Sequence, residues 1–279
     1  MKARIVLDKD DTLIHTGPLY DRSVLGFLFM LYASAIGRYL PCFDDVLRIF
    51  RTKDREGFGL FGVRRGGLAW AMLQTLAEVQ KWIKEHYRFD PAERYASVWD
   101  DISKKADFCG DGPFLCAEEA PWIEGAEDAL DRLGSDGHAL YLFSAYDEFL
   151  FPVQYRALRL GRFFGEQMEW AKAVGFREEP RKLKEPEDFA ALAGWTPEND
   201  QDFVWVAVGN SMSDIKPALK LSPRWHGFRV PFATSSIYVG VAGGAVAGDP
   251  FTPAPSDDPR IIDLQNLGEL PGRIDALCA

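Results

Sequence analysis

Cysteine and histidine are scarce in this chain, with four of each in 279 residues. Cys42, Cys109, Cys116 and Cys278 are scattered; only the middle two are near neighbours, and no histidine lies close to them. That spacing fits neither a zinc site nor the disulfide framework of a small secreted domain, so free thiols in a reducing cytosol are the plainer reading. Basic charge is also short: 32 Lys and Arg stand against 42 Asp and Glu, a net of −10. A broad basic face for nucleic acid is therefore not expected, although a local basic pocket for a small anion is allowed. The first residues run straight into acid at Asp8 and leave no room for the apolar stretch of a signal peptide. The uncharged run Ser23–Gly37 is too short for a comfortable membrane span and reads as a buried helix. With 47% hydrophobic and 27% charged residues, the composition is that of a folded cytoplasmic protein with no membrane partner.

What the chain does have is a rhythm. Arg4–Leu7 is a short β-branched run suited to a buried strand. Tyr20–Gly37 and Leu68–His86 read as helices, separated by a polar, glycine-containing stretch, Thr52–Gly67, that reads as a loop. Asp90 and Pro91 have the form of a helix N-cap and first turn. From Glu124 on, helical and apolar strand-like segments alternate. The expected helices are Glu124–Leu133, Asp147–Leu160, Pro186–Ala193, Ile215–Leu221 and Leu267–Leu277. The expected strands are Ala139–Ser144, Gln167–Trp170, Phe203–Val208, Gly227–Val230 and Arg260–Leu264. Such alternation specifies an α/β domain with a parallel sheet. About a hundred mostly helical residues separate the first strand from that block, which reads as a helical module inserted into the α/β core. Gly240–Gly248 and Pro250–Pro259 read as loops, and the glycine run lacks the spacing of a phosphate cradle.

In open parallel sheets ligands bind at the carboxyl ends of the strands. Here those ends carry Asp8-Lys9-Asp10-Asp11-Thr12, then Ser144, then Gly209-Asn210-Ser211-Met212-Ser213-Asp214; Lys182 and Lys184 stand before the third strand. Carboxylates gathered at one point repel one another and call for a cation. An all-oxygen donor set favours a hard ion such as Mg²⁺. An ion, a lysine and a hydroxyl together suit a phosphate dianion, and they let an aspartate act as a nucleophile.

The segment Ile5–Ile14 resembles the first motif of the haloacid dehalogenase (HAD) superfamily, a hydrophobic strand followed by Asp-x-Asp-x-Thr. The strand ending at Ser144 looks like the second motif, and Val206–Leu219 like the fourth. Lys184, before Pro186 and Glu187, is similar to the third, with Lys182 as its competitor. The resemblance implies a HAD-like (Rossmannoid) parallel-sheet core over residues 1–16 and 120–279, with 17–119 in the place of a type-1 helical cap. It implies Asp8 as nucleophile, Asp10 as general acid and base, and Thr12 holding the backbone. Ser144 and Ala145 would meet the phosphoryl group, and Lys184 would offset its charge. Asp8, Asp10 through its carbonyl, Asn210 and Asp214 would hold the metal, with Asn210 standing where many members have aspartate. Asp11, at a position often glycine, reads as a turn residue. In the inserted module, Arg64 and Arg65 read either as a clamp for an anionic substrate or as a solvated basic loop. Phe58, Phe61 and Trp70 read as core or as a stacking pocket, and His15 as a hinge residue or an exposed one.

The activity implied is Mg²⁺-dependent hydrolysis of a small phosphorylated metabolite, because Asp10 supplies the proton that an alkoxide leaving group needs and a halide does not. Phosphoryl transfer to a second substrate, or a HAD-fold interaction protein with lapsed activity, are the alternatives. A homodimer is among the assemblies this permits.

Overall fold

The computed structural model describes residues 1–61, 66–115, 121–146, 148–174, 184–230 and 256–279. In chain order the elements are β1 (Lys2–Leu7), α1 (Gly17–Ala33), α2 (Phe43–Phe61), α3 (Gly67–Tyr87), α4 (Pro91–Arg94), α5 (Ala96–Leu115) and α6 (Ala126–Ser135). There follow β2 (Ala139–Ser144), α7 (Phe151–Ala157), α8 (Gly161–Phe164), β3 (Ala171–Ala173), α9 (Pro186–Ala193) and β4 (Phe203–Gly209). The chain closes with α10 (Met212–Leu219), β5 (Trp225–Arg229), β6 (Ile261–Asp263) and α11 (Leu270–Cys278). It divides into two compact units.

The first unit joins Met1–Thr16 to the described residues from 121 onward. Its sheet runs β3-β2-β1-β4-β5-β6 and is parallel throughout. β1 lies at the centre, with Leu7 level with Leu142 on one side and Val208 on the other. Both faces are covered, so the strands read as near-continuous apolar runs rather than alternating ones. On one face Val6, Phe143, Trp205 and Trp225 pack with Phe189 of α9 and Ile215 of α10. Trp205 and Trp225 stack at 5.6 Å between ring centroids, and Phe189 meets Phe143 edge-on at 4.9 Å. Helices α6 and α11 lie against β2 and β1. The predicted strand Gln167–Trp170 is instead a turn with Met168 at φ 61°, and β3 starts one residue later at Ala171. The helix expected from Asp147 begins at Phe151.

The second unit is helical. Its core is built from Phe27, Leu28 and Leu31 of α1, Val46 and Phe50 of α2, and Met72, Leu76, Val79 and Ile83 of α3. Each such side chain contributes roughly 1.5–3 kcal/mol by leaving water. The reading of Thr52–Gly67 as a loop needs correction, since α2 continues to Phe61. Gly57 misleads because it is a packing residue and not a turn signal: a Cβ there would lie 2.9 Å from the Trp70 ring. Trp70 packs against this core, which favours the core reading of that ring. Arg64 and Arg65 lie outside the described residues, as do the side chains of Phe58 and Phe61. Asp90 does cap α4, accepting from the Ala92 N–H at 2.9 Å, with Pro91 in the first turn. Cys42, Cys109 and Cys278 are free thiols; Cys116 lies outside the described residues. No helix among the described residues is long and apolar enough to cross a membrane.

Candidate active site

β1 ends at Leu7, and the Asp8 N–H still pairs with the Val208 carbonyl at 2.9 Å. The chain then turns tightly. The Lys9 carbonyl accepts from the N–H groups of Leu13 and Ile14 at 2.9 and 3.1 Å. This turn forces Asp11 to φ 53°, a left-handed conformation that explains why glycine would serve at this position. Aspartate meets the demand with its side chain: Oδ1 accepts from the Thr16 N–H at 3.0 Å. Asp11 is thus a turn residue. The His15 N–H donates to the Pro121 carbonyl at 2.9 Å, and its ring Nδ1 is buried without a hydrogen bond among the described residues.

The turn brings Asp8 into a buried network with residues almost two hundred positions away. The Lys184 ammonium donates to Asp8 Oδ1 at 2.7 Å and to Asp214 Oδ1 at 2.8 Å. Thr12 Oγ1 donates to Asp8 Oδ2 at 3.1 Å and accepts from the Asn210 N–H at 3.0 Å. Asp214 is fixed by the capping box that opens α10, where Ser211 N–H donates to its Oδ2 at 3.2 Å and the Ser211 hydroxyl also donates to it. Lys184 is the lysine at the centre; Lys182 lies outside the described residues. Asp10 is held on both oxygens, by the Ser144 hydroxyl on Oδ2 at 3.2 Å and by the Lys9 ammonium on Oδ1 at 2.5 Å. Ala145 comes directly after Ser144, half-buried at the strand end.

Gly209 makes this convergence sterically feasible. A Cβ at Gly209 would overlap the Cβ of Asp214. The G209A variant should therefore push the first turn of α10 off the strand end and separate Asp214 from Lys184. We expect turnover to fall by at least about tenfold and thermal stability to drop by about 1–3 kcal/mol, as overpacking does. Steady-state kinetics with thermal unfolding checks this; wild-type values for both would contradict it.

The electrostatics are unusual. Burial, with the neighbouring carboxylates of Asp214 and Asp10 and only partial relief from Lys184, pushes Asp8 up to about 7. Burial pulls Lys184 down, but Asp214 and Asp8 outweigh it and hold the ammonium well above its ordinary value. A carboxyl raised on folding contributes stability below the ordinary carboxylate range and loses it as pH climbs through about 7. The cluster is short of positive charge at neutral pH.

That shortage, together with the donor set, fits a hard divalent cation. Asp8, the Asp10 carbonyl, Asn210 and Asp214 offer only oxygen, and a carboxylate oxygen already accepting one hydrogen bond has a lone pair to spare. No trio of His, Cys, Asp or Glu side chains among the described residues is arranged to hold a metal alone. The set that the resemblance implies does not need one, since it mixes two carboxylates with an amide and a backbone carbonyl.

A haloacid dehalogenase-like family hydrolase from Xanthomonas campestris superposes over 99% of this chain and 91% of its own, with a TM-score of 0.63 and 18% identity. The chain has the haloacid dehalogenase fold. L-2-haloacid dehalogenase from Xanthobacter autotrophicus matches over 99% of both chains at a TM-score of 0.54 and 14% identity. A HAD-hydrolase from Bacillus subtilis, solved with magnesium bound, matches over 99% and 100% at 0.53 and 16%. No protein-family model and no curated protein sequence matches the chain. At these identities the HAD likeness is one of architecture: a six-stranded parallel sheet with a helical insertion after its first strand.

The sequence reading misses the surroundings of Asp10. Lys9, Tyr146 and Gln154 are all buried beside it or beside one another. Two signals point to them: a lysine in register with a buried strand end, and a glutamine inside the apolar segment Phe151–Tyr155.

Proposed function

We propose that this chain hydrolyses phosphate monoesters of small metabolites, with Mg²⁺ as cofactor and Asp8 as the phosphoryl acceptor. The observation that supports the reading is the pairing of two differently held acids. Asp8 is oriented by Lys184 and Thr12, while Asp10, two residues on, is turned toward Ser144.

An Asp8 carboxylate oxygen attacks phosphorus, the bond from phosphorus to the ester oxygen breaks, and a proton from Asp10 goes to the departing alkoxide. Asp10, now a carboxylate, takes a proton from water. That water attacks the phosphorus of the aspartyl-phosphate, inorganic phosphate leaves, and Asp8 is regenerated. Lys184 and Ser144 donate to phosphoryl oxygens as charge moves. Asp8, the Asp10 carbonyl, Asn210 and Asp214 would hold the cation; when bound, it supplies the positive charge that lets one anion approach another.

One neighbour of the same fold is a dehalogenase, solved with chloropropionic acid covalently bound, so the test must separate the two reactions. Purified protein is given p-nitrophenyl phosphate or L-2-chloropropionate, each with Mg²⁺ or with EDTA. The expected result is phosphate release that needs Mg²⁺ and no chloride release. Because the cation requires ionised Asp8, apparent Mg²⁺ affinity should tighten as pH rises through about 7. Chloride release without phosphate release would overturn the reading.

A further inference from the structure

Lys9 stands between the two motif aspartates, and its side chain is fully buried. Among the described residues its ammonium meets Asp10 Oδ1 at 2.5 Å, the Gln154 amide oxygen, and the face of Tyr146, whose ring centroid is 4.2 Å away. Gln154 is itself buried, on α7, and presents its carbonyl to Lys9 while its Nε2 has no hydrogen-bond partner among the described residues. A leucine or methionine would fill the same volume without burying a charge, so packing alone does not account for the ammonium. The four groups come from two segments, the turn after β1 and the chain after β2, and the lysine ties one to the other.

An ammonium donates and never accepts. The Asp10 oxygen that faces Lys9 must therefore be an acceptor, and any proton the carboxyl carries must sit on the other oxygen, Oδ2, beside Ser144. We propose that Lys9, clamped by Gln154 and Tyr146, is a positioning residue that fixes the Asp10 carboxyl so that Oδ2 is its proton-transferring oxygen. Lys9 itself does not touch the reacting atoms. This rests on the phosphatase reading above and adds a specificity consequence. The clamp matters most for esters whose leaving group cannot depart unprotonated, that is, for alkyl phosphates over activated aryl ones.

The test compares two esters, β-glycerophosphate, which needs a proton on its leaving oxygen, and p-nitrophenyl phosphate, which barely does. Lys9→Met removes the ammonium and keeps the stem; Gln154→Met removes the anchor and keeps the ammonium. We expect the kcat ratio, β-glycerophosphate over p-nitrophenyl phosphate, to fall by at least about tenfold in Lys9→Met, a fraction of what a general acid contributes. KM for each ester should stay within about twofold, since the clamp acts on a step after binding. Gln154→Met should shift the same ratio in the same direction, by less. Equal losses on both esters in both variants would mean a structural role and overturn the proposal. So would an unchanged ratio in soluble, folded variants. Failure of the wild type on both esters with Mg²⁺ would reject the phosphatase reading itself, a result distinct from either.

Discussion

Replacing Asp8 by asparagine abolishes phosphate release from p-nitrophenyl phosphate, by at least about a thousandfold, because the group that accepts the phosphoryl is gone. The fold survives. Asparagine has the same shape, and its amide oxygen can still accept from Lys184, which donates to Asp8 Oδ1 at 2.7 Å in the wild type. The telling part is stability. In the wild type Asp8 must ionise in a buried site beside Asp214 and Asp10, so the metal-free protein weakens as pH rises through about 7. Asparagine has nothing to ionise. In EDTA, D8N should melt above the wild type at pH 8.5, and the gap should close by pH 5. Thermal unfolding at the two pH values measures this. A D8N protein that retains Mg²⁺-dependent turnover, or that melts below the wild type at pH 8.5, would contradict the assignment.

Lys184→Met is the second large effect and works in the opposite sense. The ammonium sits between two carboxylates, with all three side chains buried. Removing it leaves like charges facing each other across a desolvated gap, and breaking a buried pair in this way costs about 3–5 kcal/mol. The cost must depend on pH. Without the lysine, Asp8 rises beyond its already elevated value, so the folded protein binds a proton that the unfolded chain releases. The defect is then mild at pH 5, where Asp8 is protonated, and grows toward pH 8. Turnover should fall by about 10²–10³, as expected for the loss of one preorganised charge at the phosphoryl group. The double variant with D8N should recover part of the lost stability, because the repulsion needs both anions. A Lys184→Met protein equally destabilised at pH 5 and pH 8 would show that the ammonium serves packing alone.

Much of this site was legible because buried parallel strands leave a strong trace. Ile5, Val6 and Leu7, or Val204 through Val208, can hardly be anything but strands with both faces covered. The residues just beyond such a run stand at the carboxyl edge of the sheet, and Asp8, Ser144 and Asp214 could be named on that ground. Lys184 was named on its resemblance to the third motif, a lysine two residues ahead of a proline-started helix, with Lys182 left as its competitor. Less visible were features whose cause lies in the partner and not in the segment. Gly57 mimics a turn residue until Trp70 is seen against it. β3 is only three residues long, and the apolar Met168 and Trp170 ahead of it draw the strand assignment too early. Lys9 looks like one more charge in an acidic turn. Its role emerges only when Tyr146 and Gln154, about 140 positions away, close around it.

The central place of β1 also has a cost in time. This strand is made first, yet Lys2 must pair with Phe203 and Arg4 with Ala139. At translation rates of about 5–20 residues per second, the earliest strand waits roughly 10–40 s for its later neighbour. β2 emerges first and β4 only later, so Ile5, Val6 and Leu7 lack one of their two flanking strands until the end of that interval, and contacts of such long sequence separation form slowly even once the chain is complete. Closure of the sheet is therefore timed by the arrival of β4, a delay set by strand order alone.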